Sequence, residues 1–248
     1  MKRLLSLLVL TAALILTSLS SFAAAKKNHL SASTKKHLTI ASVEILDITE
    51  EYDNSLLEIS NISMEGLSLN PITGTINQVD LIVDKVINIG QKIWNVVDKG
   101  RPVANYSSSK ATALPGNATR WDQLESWQTP KSKVMRVVYK NMYGIEVVRF
   151  TYRIILLYGG TVNGVGKYIG YASVEPLEMT VAYMYTFNAK ASVEAVYNMG
   201  TGQNPLAGMI LNVNWTIETV LKKSTLTNTY TLDGLGNIAT PADSLTLQ

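Results

Sequence analysis

The chain has no cysteine in its 248 residues and only two histidines, His29 and His37. Without cysteine there is no disulfide framework, so any fold must rest on core packing. A tetrahedral zinc site needs three or four His, Cys or carboxylate ligands, and two histidines near one end are a poor start. Both lie in a basic segment that reads as a flexible tail, where a positioned imidazole for a Ser-His-Asp triad is not expected. Beyond residue 25 no run reaches the ~18 uncharged apolar residues of a membrane-spanning helix. Charge of one sign is also lacking. The 22 Lys and Arg against 19 Asp and Glu leave a formal +3, which gives no reason to expect a nucleic-acid partner.

What is present begins at the first residues. Lys2 and Arg3 precede an apolar and small-residue run from Leu4 to Leu19, and Ala23, Ala24 and Ala25 follow. A basic start, an apolar stretch and a small-residue exit form the pattern of a secretory signal peptide over 1–25. The expectation is export to the periplasm, the cell surface or the secreted space. No cysteine follows the leader, so a lipid anchor there is not expected. Residues 26–37 then form the basic tail, with Lys26, Lys27, Lys35 and Lys36.

Residues 38–100 are acidic, with ten acids against three bases. Two apolar-patterned stretches, 38–48 and 56–69, read as strands around a polar loop. The segment from Thr75 to Gly100 reads as one long amphipathic helix, 76–99 without its caps. Thr75 and Gln78 resemble a capping box, and Gly100 followed by Pro102 resembles a helix stop. Val79, Ile82, Val83, Val86, Ile93 and Val97 fall at helical spacing. Residues 101–130 look irregular, a long connection carrying a Pro115–Gly116–Asn117 turn and the pair Trp121 and Trp127.

After Pro130 the pattern changes to strict alternation. Val148, Phe150, Tyr152, Ile154, Leu156 and Tyr158 share one face of a strand, and Arg149, Thr151 and Arg153 share the other. Met209, Leu211, Val213, Trp215 and Ile217 repeat the pattern in a second. Period-two patterning marks half-buried antiparallel strands. Lys167–Val174 reads as a shorter strand closed by Pro176, with a Gly-rich turn over 159–166 before it. The fold class expected is mainly β: an antiparallel sandwich or open barrel over 101–235, with the long helix packed on it and a tail over 236–248.

Few constellations carry chemistry. The run Gly159 to Lys167 superficially resembles a phosphate loop, but Thr161 stands where its first Gly is needed and Tyr168 where Ser or Thr is needed. Glu146, Glu175, Glu178, Glu194 and Glu218 are spread over several strands, and nothing in the spacing forces two of them to converge as a glycosidase requires. The hairpin 131–153 carries Lys131, Lys133, Arg136, Lys140, Arg149 and Arg153 with Tyr139, Tyr143 and Tyr152 among them. Those six cations are the candidate binding residues, for an anionic glycan, a lipid surface or a protein partner. No catalytic residue, metal or cofactor is expected. The reading is an exported, non-enzymatic binding or structural protein; the alternative is a secreted membrane-binding or pore-forming protein using helix 76–99 and the basic hairpin.

Overall fold

The computed structural model describes residues 30–52, 81–103 and 110–240. These residues form one short helix, α1 (Ala32–Leu38), and twelve strands. The strands are β1 (Ile40–Asp47), β2 (Ile82–Ile87), β3 (Ile93–Asp98), β4 (Arg101–Pro102), β5 (Lys110–Gly116) and β6 (Lys131–Asn141). They continue as β7 (Glu146–Val162), β8 (Val165–Val181), β9 (Thr186–Asn198), β10 (Ala207–Glu218), β11 (Lys223–Asp233) and β12 (Ile238–Ala239). Two curled, antiparallel, six-stranded sheets result. Sheet one runs β1-β6-β7-β8-β5-β2 and sheet two runs β12-β11-β10-β9-β3-β4.

The alternating strands set the core. Phe150, Tyr152, Ile154 and Leu156 of β7 are fully buried, as are Met209, Leu211 and Val213 of β10. Phe150 of sheet one packs on Phe187 of sheet two with ring centroids 5.3 Å apart. Hydrogen bonds also cross between the sheets: Trp215 Nε1 donates to the Tyr139 hydroxyl at 2.9 Å, and the Tyr152 and Tyr230 hydroxyls lie 2.7 Å apart. The outward face of β10 and β11 is a polar ladder, with Thr227 donating to Asn214 at 2.6 Å and Thr229 to Asn212 at 2.8 Å.

The long helix is not there. Its described part is two strands, β2 and β3, which belong to different sheets. Thr75 to Asp80 lie outside the described residues. Ile82, Val83, Val86, Ile87, Ile93, Val96 and Val97 are β-branched and fit a pleated surface better than a helix. Between the strands, Asn88 Oδ1 accepts from the backbone N–H groups of Gly90 and Thr112, both at 2.9 Å, and ties the crossing to β5. Gly90 has no Cβ where one would meet the Lys110 carbonyl oxygen at 2.3 Å. The supposed helix stop is a hairpin: Lys99 and Gly100 take φ of 47° and 75° between β3 and β4, the left-handed pair of a tight turn. Pro102 is tolerated because β4 is an edge strand.

Four other expectations change. The stretch 101–130 contains β5, buried along its whole length between β8 and β2. Pro176 does not end β8, which runs on to Val181; it faces Tyr152 where the register with β7 slips, the irregular place at which a sheet accepts proline. The β7–β8 turn is only Asn163–Gly164 (φ 49° and 77°), so Gly159 and Gly160 belong to the strand. The basic segment holds α1, capped by Ser31, whose hydroxyl accepts from the Thr34 N–H at 3.1 Å. Leu38 of α1 is buried, and Asn141 Nδ2 lies 3.1 Å from His37 Nδ1. The expected strand over 56–69 falls outside the described residues, as do residues 241–248.

Candidate functional site

The basic hairpin is β6 and β7, and its neighbours in sheet one are β1 and β8. Both neighbours bring carboxylates. Lys133 meets Asp47 at 2.9 Å and Lys140 meets Glu44 at 2.7 Å, both across the β1–β6 pairing. Arg153 meets Glu175 at 2.7 Å, and Arg149 lies between Glu146 at 2.9 Å and Glu178 at 3.4 Å. Arg136 donates from Nε to the Thr151 hydroxyl at 3.4 Å, and the Lys131 ammonium sits 5.1 Å from the Tyr158 ring centroid. Four of the six cations therefore face a carboxylate, and the surface is charge-balanced. Partial burial pulls the Asp47 carboxyl upward, but hydrogen bonds from Thr49 and Lys133 outweigh it and leave the group below its ordinary value.

The same pairs place the candidate acids. Glu146, Glu175 and Glu178 are bound to arginines, and Glu218 lies 3.6 Å from Lys223. A carboxylate held against a cation is kept ionised and is poorly suited to serve as a proton donor.

Further along the outward face of sheet one, Ile155, Leu157 and Tyr171 are roofed by Trp121 and Trp127. The two indoles meet edge to face at 6.0 Å. Lys110 lies under this end of the sheet with its ammonium 4.7 Å from the Tyr171 ring centroid. Burial lowers its pKa, and the Glu175 carboxylate opposes that shift in part.

Two concavities stand out. One is an open polar cleft of about 550 Å³ at the end of the β1–β6 pair, between Asp47, Glu50, Glu51, Lys131 and Lys133. The other is a more enclosed slot of about 310 Å³ on the seam between the sheets. The seam is open because β1 is the margin of sheet one, while β12 pairs only with Thr231 and Leu232 and leaves the first part of β11 as the margin of sheet two. One wall of the slot is the continuous stretch Leu38–Val43, and the other is the β10–β11 turn with Ile217, Leu221 and Leu226. Tyr139, itself buried and hydrogen-bonded to Trp215, closes it toward the core.

The polar groups of the slot differ in what they are already doing. Thr39 donates its hydroxyl to the Lys35 carbonyl at 2.8 Å, and Thr219 Oγ1 accepts from the N–H groups of Leu221 and Lys222 at 3.2 Å. The side chains of Ser42, Lys222 and Ser224 make no hydrogen bond or ion pair among the described residues. Among the described residues no carboxylate lines the slot, and Lys222 is the one charged side chain there. The sequence reading missed this place because neither wall is a motif; each is ordinary strand-end sequence, and only the topology brings them together. Comparison of the chain with protein-family models, with curated proteins and with solved structures gives no match.

Proposed function

We propose that this chain is an exported, non-enzymatic binding protein of the periplasm, cell surface or secreted space, and that the seam slot holds its ligand. The leader over 1–25 supports export. The observation that carries the binding reading is the slot itself: a partly enclosed space with a mixed aliphatic and polar lining, some of its polar groups unengaged, in the size range of small-molecule sites. Four of the five candidate acids, Glu146, Glu175, Glu178 and Glu218, are held in ion pairs, which favours binding over catalysis. The pairing of the hairpin cations weakens the anionic-surface alternative in the same way.

The test uses the chain from residue 26 onward and the uncharged fluorophore N-phenyl-1-naphthylamine. Its fluorescence should rise on saturable, one-site binding. Ala41→Trp, which puts an indole at the slot wall, should abolish that rise while leaving the circular dichroism spectrum unchanged. Binding that survives Ala41→Trp would move the site elsewhere. Fractionation of the full chain should recover a shortened form outside the cytoplasm; a full-length cytoplasmic product would overturn the export half.

A further inference from the structure

We propose that the slot takes an unbranched aliphatic carboxylate, its chain lying along Leu38–Val43 and its carboxylate against Lys222 and Ser224. This inference rests on the slot being the ligand site, and adds the chemical class.

Shape argues for a chain. The wall from Leu38 to Val43 follows the chain without a break from the end of α1 into β1, so the slot is elongated along the margin of sheet one. The apolar lining suits such a chain, since Leu38, Ile40, Val43, Ile217, Leu221 and Leu226 offer aliphatic surface, with the Tyr139 ring at the inner end.

Charge argues for an anionic head. The β10–β11 turn carries two adjacent lysines with different circumstances. Lys223 lies 3.6 Å from Glu218, whereas Lys222 has no carboxylate partner among the described residues. The Thr219 hydroxyl accepts from the Lys222 N–H and fixes the turn that holds this lysine at the slot. Ser224 adds an unengaged hydroxyl two residues on. An ammonium and a hydroxyl beside an aliphatic slot suit a carboxylate head, with a charge-assisted hydrogen bond to Lys222. An uncharged or cationic head would leave that interaction unmade.

The chain from residue 26 onward would be titrated calorimetrically with octanoate, decanoate and dodecanoate below their micellar concentrations, with dodecyltrimethylammonium as the head-group control. Each two-carbon step should tighten binding by roughly 15-fold, from the usual gain per buried methylene. Dodecyltrimethylammonium should bind at least about tenfold more weakly than dodecanoate, and Lys222→Ala should weaken dodecanoate by a similar factor. Lys222 is exposed, so the variant should keep its fold, with its circular dichroism spectrum and urea midpoint unchanged. Equal binding of the two dodecyl heads, or no dependence on chain length, with the fluorophore still bound, would overturn the ligand class and leave the site standing. Failure of both fluorophore and dodecanoate would overturn site and class together. Binding of an alternating Val-Thr hexapeptide in preference to dodecanoate would make the occupant a strand added to β1 and would also defeat the proposal.

Discussion

Tyr152 and Tyr230 meet hydroxyl to hydroxyl, 2.7 Å apart, in the middle of the core, one from each sheet. Asn228 completes the cluster by donating its amide to the Tyr230 hydroxyl at 2.6 Å and more weakly to that of Tyr152 at 3.5 Å. The three polar groups are buried, so each depends on the others. Tyr152→Phe removes one partner and should cost about 1–2 kcal/mol of unfolding free energy in a urea titration. Tyr230→Phe should cost more, because it strips Asn228 of its good acceptor. If both variants are neutral, the two sheets do not rely on this contact.

The same tyrosines make stability sensitive to alkali. Burial pushes Tyr139 and Tyr152 up to about 12 and pushes Tyr230 in the same direction. The unfolded chain loses these protons near pH 10, before the folded chain does. Between those values the native state holds more protons, so stability falls as pH rises. The contribution is whole below pH 10 and is lost on the way to 12. Urea midpoints should be flat from pH 8 to 9 and drop steeply above 10, and Tyr152→Phe should reduce the slope. A flat profile to pH 11.5 would show that the phenols are reached by water.

Gly160 lies under the Trp127 indole, where a Cβ would stand 2.4 Å from the ring. Gly160→Ala must lift the tryptophan from the outward face of sheet one. The expected cost is about 1–3 kcal/mol, as for other over-packing changes, with a red shift of tryptophan emission as the indole gains water. An unshifted spectrum with unchanged stability would mean that the 117–130 segment does not roof this face.

Ion pairing on the hairpin has its own consequence. With Lys133, Lys140, Arg149 and Arg153 each facing a carboxylate, little net positive charge projects from β6 and β7. The chain from residue 26 onward should stay in the supernatant when phosphatidylglycerol vesicles are sedimented at about 0.15 M salt, where surface charges are screened beyond ~8 Å. The triple variant Glu146→Gln/Glu175→Gln/Glu178→Gln uncovers Arg149 and Arg153 and should sediment more. Strong sedimentation of the unmodified chain would restore the anionic-surface reading.

The parts of this fold that were legible in the sequence are the strands with one buried face. Phe150, Tyr152 and Ile154 alternate with Arg149, Thr151 and Arg153 because one row meets the core and the other meets water. Where both faces are covered, alternation vanishes: β5 reads as Lys-Ala-Thr-Ala-Leu-Pro-Gly and offers no period. The 82–98 segment misled because two short strands separated by a turn can place Ile82, Val86, Ile93 and Val97 at helical spacing by coincidence. Gly100 reads as a helix stop, but the left-handed conformation it takes serves a hairpin as readily as a helix end. The candidate cations were visible, but their partners Glu44, Asp47 and Glu175 were not, because which strands lie beside β6 and β7 is a matter of topology. The slot was invisible for the same reason, being built from β1 and the β10–β11 turn.

The most direct test of the central claim is hydrogen exchange read by mass spectrometry, on the chain from residue 26 onward with and without saturating dodecanoate. A ligand in the seam closes the two open margins against each other. Exchange should slow only at residues 38–46 and 217–229, with Trp121–Pro130 and the polar cleft at Asp47–Glu51 and Lys131–Lys133 unaffected. Slower exchange in that cleft or under the tryptophan roof, with the seam unchanged, would contradict that claim.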